Sequence, residues 1–392
     1  VNWWYYFKKQ FSLYPGVRAA VSAPFLAPYY QRRRQERSAT RALLDAIVYA
    51  LFQLWVPFRA GAVARKFGLD KDWARNAAAI GRRRVADPND IAVFRIANDG
   101  DCDRYMRRYE YAEISKRANP AAWRRDCVLA DKARFARRCA EHGLAAPRFL
   151  ARLRGRTVEV IEVPTEPVLA IKPTGGISGE GFTLAEFADW QQGRPAFEAF
   201  LRQWAGAHNG DWIVQSKASS HPELRDIALD ALSTARITTM LNEQGAAEIV
   251  TCVLRFAGAR GAVVDNLAAG GLLAPIDAAT GRLGPACYGR RPEDVSVHPV
   301  TGAIIEGRLL PNWEATRDLV LDAHLRAFPE YTMIGWDVGI ADHGPVLIEG
   351  NGKPGLFAAQ RAERQGVGET RLGELLAFHL ERAATRSPAQ GR

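Results

Sequence analysis

The sequence is short of several things at once. It has five cysteines in 392 residues (Cys102, Cys127, Cys139, Cys252 and Cys287), an odd number with no CxxC spacing. That excludes a disulfide framework and a cysteine-rich zinc site, and it is the usage of a reducing compartment. No internal repeat is visible, which excludes a solenoid. No apolar run reaches the ~20 residues that a membrane span needs. The nearest, residues 42–58 (ALLDAIVYALFQLWVPF), is interrupted by Asp45 and Gln53. Its Leu43, Leu44, Ile47, Val48, Leu51, Leu54 and Trp55 recur at helical spacing. A buried helix is expected there, with a membrane-surface helix as the alternative. Acidic residues are absent from the first 22 positions and scarce through the first 155, which hold 31 Lys and Arg against 14 Asp and Glu. The remainder reverses the sign, with 22 against 29.

A basic front half suits an anionic membrane surface, nucleic acid or an acidic partner. The clusters Trp3-Trp4-Tyr5-Tyr6-Phe7-Lys8-Lys9 and Tyr29-Tyr30-Gln31-Arg32-Arg33-Arg34 put rings beside cations. That suits a membrane interface, and equally a docked N-terminal arm. At 47% apolar and 24% charged the chain has an ordinary globular composition. Its length predicts more than one lobe. We divide it into a basic, mostly helical region (1–125), a first lobe (126–215), a second lobe (216–386) and a disordered polar tail (387–392). Asp87-Pro88-Asn89-Asp90 reads as a turn. Asp99, Asp101, Asp103 and Glu110 have calcium-loop spacing, but Arg104 stands where such a loop needs Gly. They read instead as the acidic start of a helix over 104–116.

The stretch that carries chemistry is residues 334–355, IGWDVGIADHGPVLIEGNGKPG. Two strand-like runs flank Asp342-His343-Gly344, a three-residue hairpin loop ending in Gly. In that register Ala341 faces Pro345 and Asp337 faces Glu349, about 5 Å apart at Cβ. Asn351 shares their face. Two carboxylates and an amide oxygen are hard ligands suited to Mg²⁺ that is also bound to phosphate. The carboxylates would repel unless a cation or a base sat between them, so replacing Asp337 is expected to relieve repulsion in the metal-free protein.

Earlier in the chain, Asp131 reads as the N-cap of a helix through Glu141, with Lys132 in its first turn. Residues 168–171 form a strand ending on Lys172-Pro173. Four glycines follow within residues 175–181. Their backbone N–H groups can turn toward an anion, with Lys172 as a point charge. The absence of a following Gly-Lys-Ser/Thr excludes a P-loop. Strands are expected at 212–215, 233–240, 250–255 and 261–264, and a helix at 314–327. Arg236 and Arg255 interrupt apolar alternation, which suggests a clamp on phosphate oxygens. His298 reads as a packed loop histidine.

Together these residues resemble the ATP-grasp superfamily, and within it the sugar-transfer-associated family related to α-L-glutamate ligases. Ser233-Thr234-Ala235-Arg236, Val264-Asp265-Asn266 with Gly270-Gly271, His298-Pro299-Val300-Thr301-Gly302, Pro311-Asn312-Trp313 and the hairpin stretch carry the match. The resemblance implies an α+β fold in which two lobes clasp ATP. It implies nucleotide contacts from Lys132, Lys172, the loop residues Gly176, Ser178 and Gly179, and the hinge Gln215-Ser216-Lys217. Ser216 departs from the acidic residue often found there. It implies one or two Mg²⁺ on Asp337, Glu349 and Asn351. Arg255, with Arg236 second, would steady the moving phosphoryl group, and Asn266 would help shape the acceptor pocket. The implied activity is an ATP- and Mg²⁺-dependent carboxylate–amine ligase working through an acyl phosphate on small-molecule substrates, in cell-surface sugar or secondary-metabolite modification. The expected location is the cytoplasm, with peripheral contact to the inner face of the membrane through the N-terminal region. A kinase on the same scaffold, or a basic membrane- or nucleic-acid-binding protein, are the alternatives.

Overall fold

The structure, a computed structural model, describes residues 23–107, 110–175, 181–261 and 270–385. The polar tail and the first aromatic–cation cluster lie outside them. The chain opens with helices: α1 (Ala27–Gln35), α2 (Ala39–Phe67), α3 (Lys71–Arg84), α4 (Pro88–Val93), α5 (Asp99–Arg104) and α6 (Tyr111–Ala118). Side-chain caps set several starts. Ser38 accepts from the Arg41 N–H, Asp70 from Trp73 and Asn98 from Asp101. The turn expected at Asp87 is a helix start instead: Asp87 caps α4, and Pro88 takes the first helical position. The single helix expected over 104–116 is two, α5 and α6. Its acids are taken up by arginines, Asp99 by Arg83 and Arg84, and Asp103 by Arg84.

The α2 helix forms, but it is not buried as expected. Phe52, Val56, Ala60 and Val63 face the protein, while Leu43, Leu54 and Phe58 on the opposite side are exposed. The two interruptions in its sequence explain this. Asp45 is fully buried, paired with Arg37 and with Arg41 at 3.6 Å. Gln53 donates to the Arg82 carbonyl of α3 at 2.9 Å.

Next come α7 (Lys132–Glu141) and a first antiparallel sheet of β1 (Phe149–Arg154), β2 (Thr157–Val160), β3 (Val168–Pro173), β4 (Thr183–Glu186) and β5 (Asp211–Ser216), in the order β2-β1-β5-β3-β4. One face of this sheet packs on α8 (Arg194–Ala207) through Phe197, Leu201 and Ala205. After the single turn α9 (Arg225–Ala228) comes a larger sheet. Its strands are β6 (Thr234–Leu241), β7 (Ala247–Phe256), β8 (Leu272–Pro275), β9 (Ala286–Tyr288), β10 (Asp294–Val295), β11 (Met333–Ala341) and β12 (Gly344–Asn351), ordered β10-β9-β8-β7-β6-β11-β12. The strand expected over 261–264 falls mostly outside the described residues.

Ile334, Trp336, Val338 and Ile340 of β11 enter the main core with Phe328, Tyr331 and Val320. Val320 belongs to α10 (Trp313–Asp322), whose expected continuation to 327 is a π turn, Ala323–Ala327. Two further helices, α11 (Phe357–Glu363) and α12 (Arg371–Thr385), complete the described chain. Leu372, Leu375, Leu376 and Leu380 of α12 cluster with Leu26, Tyr29 and Tyr30, which seats the helical region on the second lobe.

The α7 helix joins the two sheets. Its Ala133 and Ala136 pack on Phe149 and Ile213 of the first. Its Phe135 and Cys139 enter the core of the second, with Phe135 stacked on Phe328 at 5.5 Å. Gly350 of β12 permits this approach, because a Cβ there would lie 2.8 Å from Leu129 and 2.9 Å from Phe135. Gly350→Ala should therefore destabilise the protein by about 1–3 kcal/mol in urea unfolding. Gly206→Ala, in α8 with no described atom beyond its own helix backbone and chain neighbours within 4 Å, should be neutral or mildly stabilising. Equal stability of the two variants would contradict the packing described.

Candidate functional site

The β11–β12 hairpin sets Asp337 opposite Glu349, as the spacing predicts, but by a different route. The connection is a two-residue turn, Asp342-His343, and Gly344 at φ 114° pairs with Ala341. The expected three-residue loop, with Ala341 facing Pro345, does not form. Carried along the ladder, the observed register would set Asp337 against Ile348. A bulge intervenes between the pairs Val338–Leu347 and Asp337–Glu349. Its extra residue is Ile348, and it returns Glu349 to the face of Asp337. Without it every later β12 side chain would point the other way. Asn351, opposite Gly335, stays on that face.

The same row continues on the far side of β11, where Arg236 of β6 is the direct partner of Asp337. Arg236 holds both carboxylate oxygens, Nε on Oδ1 and Nη2 on Oδ2 at 2.9 Å. Arg255 of β7 adds Nη2 at 3.5 Å from Oδ2, and its Nε donates to Thr234 Oγ1 at 3.2 Å. Burial pushes the Asp337 carboxyl pKa up, but Arg236, Arg255 and Lys172 together hold it below the ordinary value. The expectation of repulsion is thus corrected: a base sits on Asp337, so removing the carboxylate takes the bidentate partner from Arg236.

The first lobe contributes two more cations. Lys132, at the start of α7, places Nζ 3.9 Å from Glu349 Oε2. Its N–H donates to the Thr174 carbonyl at 3.0 Å, tying α7 to the chain leaving β3. Lys172 is buried at the end of β3, and burial lowers its ammonium pKa to about 8 against the pull of Glu349 and Asp337. Four cations thus surround two carboxylates. The Asn351 Nδ2 is buried beside them with no hydrogen-bond partner among the described residues, and a buried donor of that kind normally has an acceptor.

The family described as sugar-transfer associated ATP-grasp matches residues 111–373, from the start of α6 into α12. The chain belongs to that family. Its two lobes are those of the ATP-grasp fold. No curated protein matches the sequence. Among solved structures it is similar to the D-alanine–D-alanine ligase of Bacillus anthracis complexed with ATP, at 10% identity and a TM-score of 0.35 over 66% of this chain and 67% of that one. It is also similar to an L-amino acid ligase from Bacillus licheniformis, at 13% identity and a TM-score of 0.37 over 64% and 48%. D-alanyl-alanine synthetase A from Vibrio cholerae has 14% identity and a TM-score of 0.39 over 68% and 67%.

The remaining expected ATP-grasp contacts are unevenly placed. Lys172 pairs with Ile213 of β5, so Gln215, two residues on, shares its face. Gln215 is buried and donates weakly to the Pro147 carbonyl at 3.4 Å. Ser216 pairs with Leu169 and so faces the other side of the sheet. Its Oγ accepts from the Arg148 N–H at 2.9 Å. Lys217 is exposed just past the strand. Gly176, Ser178, Gly179 and Asn266 lie outside the described residues. His298 is a packed loop residue, with Nε2 at 2.8 Å from the Ala257 carbonyl.

One residue escaped sequence reasoning. Arg152 of β1 also pairs with Ile213, which puts it in the row of Lys172. It is buried, with Nη2 3.5 Å from Asp131, the cap of the helix that carries Lys132. A cation inside the apolar run FLARLR was its signal.

Two outcomes follow from this electrostatics. The unfolded chain binds the Lys172 proton more tightly than the folded one, so burial of this lysine costs stability below pH ~8 and the cost fades as pH rises toward ~10.5. Ligand-free Lys172→Met should accordingly melt above wild type at pH 7, with a gap that closes at high pH; a gap independent of pH would refute the assignment. Asp337→Asn should lower the stability of the ligand-free protein by on the order of 2 kcal/mol in urea titration. Glu349→Gln, whose partner is at 3.9 Å, should change it much less.

Proposed function

We propose that the protein is an ATP- and Mg²⁺-dependent ligase that joins a small-molecule carboxylate to an amine in the cytoplasm. One observation carries the reading. In a chain of the ATP-grasp family, Lys132 and Lys172 of the first lobe meet Arg236, Arg255, Asp337, Glu349 and Asn351 of the second. The surplus of positive charge calls for a polyanion, and a phosphate chain supplies one.

The residues fit magnesium. Among the described residues no cluster of three or more His, Cys, Asp or Glu is arranged for a metal. Magnesium is commonly held by a few protein oxygens and completed by phosphate and water. Asp337, Glu349 and the Asn351 amide would hold it, and it would neutralise charge on the terminal phosphates. Lys132 and Lys172 would hold phosphate oxygens nearer the nucleoside. Arg236 and Arg255 would steady charge developing on the moving phosphoryl group, and phosphoryl transfer needs such positioning more than covalent help.

In this reading a substrate carboxylate oxygen attacks the γ-phosphorus and ADP leaves. The amine nitrogen then attacks the acyl carbon and phosphate leaves. The family's description associates it with sugar transfer, so sugar-linked acids and amines are the first substrates to try.

Hydroxylamine tests the sequence of steps, because it traps an acyl phosphate as a hydroxamate. With the true acid present, hydroxamate and ADP should form together. Arg255→Ala should lower both by about 10²–10³, and Arg255→Lys should recover only part. A stable product that retains the γ-phosphate, with no hydroxamate, would replace the ligase with a kinase.

A further inference from the structure

The outward side of α2 is a continuous apolar stripe. Leu43, Leu44, Ile47, Leu51, Leu54 and Phe58 are each 45–80% exposed. From residue 42 to residue 58 every exposed side chain of the helix is apolar, the others being alanines. At 1.5 Å per residue the stripe runs about 22 Å. Asp45, the one charge in this span, is turned inward to Arg37 and Arg41. A helix that sends its only carboxylate inside and its leucines outside is built for an apolar surface beyond the protein.

The surroundings of the stripe carry mainly one sign of charge. Residues 23–84 hold 13 Lys and Arg against four Asp and Glu. Arg41 is exposed at one end of the stripe, Arg65 and Lys66 at the other, and Arg82 beside Gln53. We propose that α2 lies side-on in the headgroup layer of an anionic bilayer, with its leucines in the acyl boundary and these cations on the lipid phosphates and carboxylates.

Two other occupants fit less well. Leu44, Ile47, Leu51, Leu54 and Phe58 have the 3-4 spacing of a coiled-coil seam, which would suit a second copy. Coiled coils set opposite charges beside the seam, whereas here the flanking positions are Leu43, Val48, Ala50, Trp55 and Pro57. Two copies would also bring two cationic rims together. The 29-residue helix is long and apolar enough to cross a bilayer. Its far side, however, is committed to the protein: Val56, Ala60 and Val63 are buried there, and Asp45 with them. This inference does not depend on the ligase reading.

The test is cosedimentation of the full chain with sucrose-loaded vesicles of phosphatidylcholine, alone or mixed with phosphatidylserine. Binding should favour the mixed vesicles by more than about tenfold and weaken as salt rises. The double substitution Leu51→Glu/Leu54→Glu, at exposed positions, should keep the melting temperature and lose about tenfold or more of the binding. Arg65→Glu should weaken binding to the mixed vesicles alone. Failure of the wild type to bind either vesicle would overturn the proposal, as would equal binding by the double variant. So would a wild-type dimer in light scattering that the double variant abolishes, which would give the stripe to a second copy. Binding retained by the double variant but lost on deletion of residues 1–22 would move the contact to the preceding segment and overturn it too.

Discussion

Asp337 is a carboxylate sealed into a sheet, and the site is arranged around the need to neutralise it. A buried ion without a partner costs several kcal/mol. Arg236 meets that need because β6 and β11 are neighbours, and because the pair sits in one rung. Gly335 and Gly339, which flank Asp337 on the same face, let Pro354 and Leu232 pack close over the row. A Cβ at either would collide with Pro354 or Leu232, at 2.5 and 2.9 Å. Lys172 has no comparable partner at bonding distance among the described residues, so burial wins and its pKa falls to about 8. The two lobes thus bring unequal charge to their meeting point, and the excess is positive.

How far apart those charges sit is decided by α7. Lys132 cannot move independently of either sheet, because its helix packs on both. Asp131 is held by Arg152 of the first sheet, while Phe135 is held by Phe328 in the second core. The Leu347 N–H donates to the Ala145 carbonyl at 2.8 Å, fixing the chain after α7 to β12 itself. Lys132 and Glu349 therefore approach each other through backbone that is tied on both sides.

Much of this was legible in the chain because it rests on local pattern. The β3 and β5 strands, the Asp131 cap and the facing of Asp337 by Glu349 all follow from spacing within a few residues. What was not legible depends on distance in sequence. Nothing near Asp337 announces that residue 236 is its neighbour, so the pair of acids looked repulsive. The Ile348 bulge was invisible because two departures cancel: a shorter turn shifts the register one way and the bulge shifts it back. Asp45 looked like a break in an apolar helix. Its role is set by Arg37, which lies before the Ser38 cap and outside the helical period. The break between α5 and α6 comes where Arg107 and Tyr30 converge on Glu110, and Tyr30 is a residue from another helix.

The pairing of Asp337 also constrains what a loaded site can look like. Its two oxygens are now taken by Arg236, with Arg255 at 3.5 Å. A carboxylate has about four lone-pair sites, so two remain beside the Arg236 fork, but the charge of Asp337 is already shared with the arginines. A metal on Asp337 would compete with Arg236 and Arg255 for its charge, and a half-buried guanidinium that loses its counter-ion is left partly unpaired. The exchange is balanced only if an anion arrives with the cation. Metal and phosphate are therefore expected to enter together, the carboxylate passing to one and the arginines to the other. Either alone would leave a buried charge unpaired, so this charge row would favour their joint entry over that of a lone metal ion.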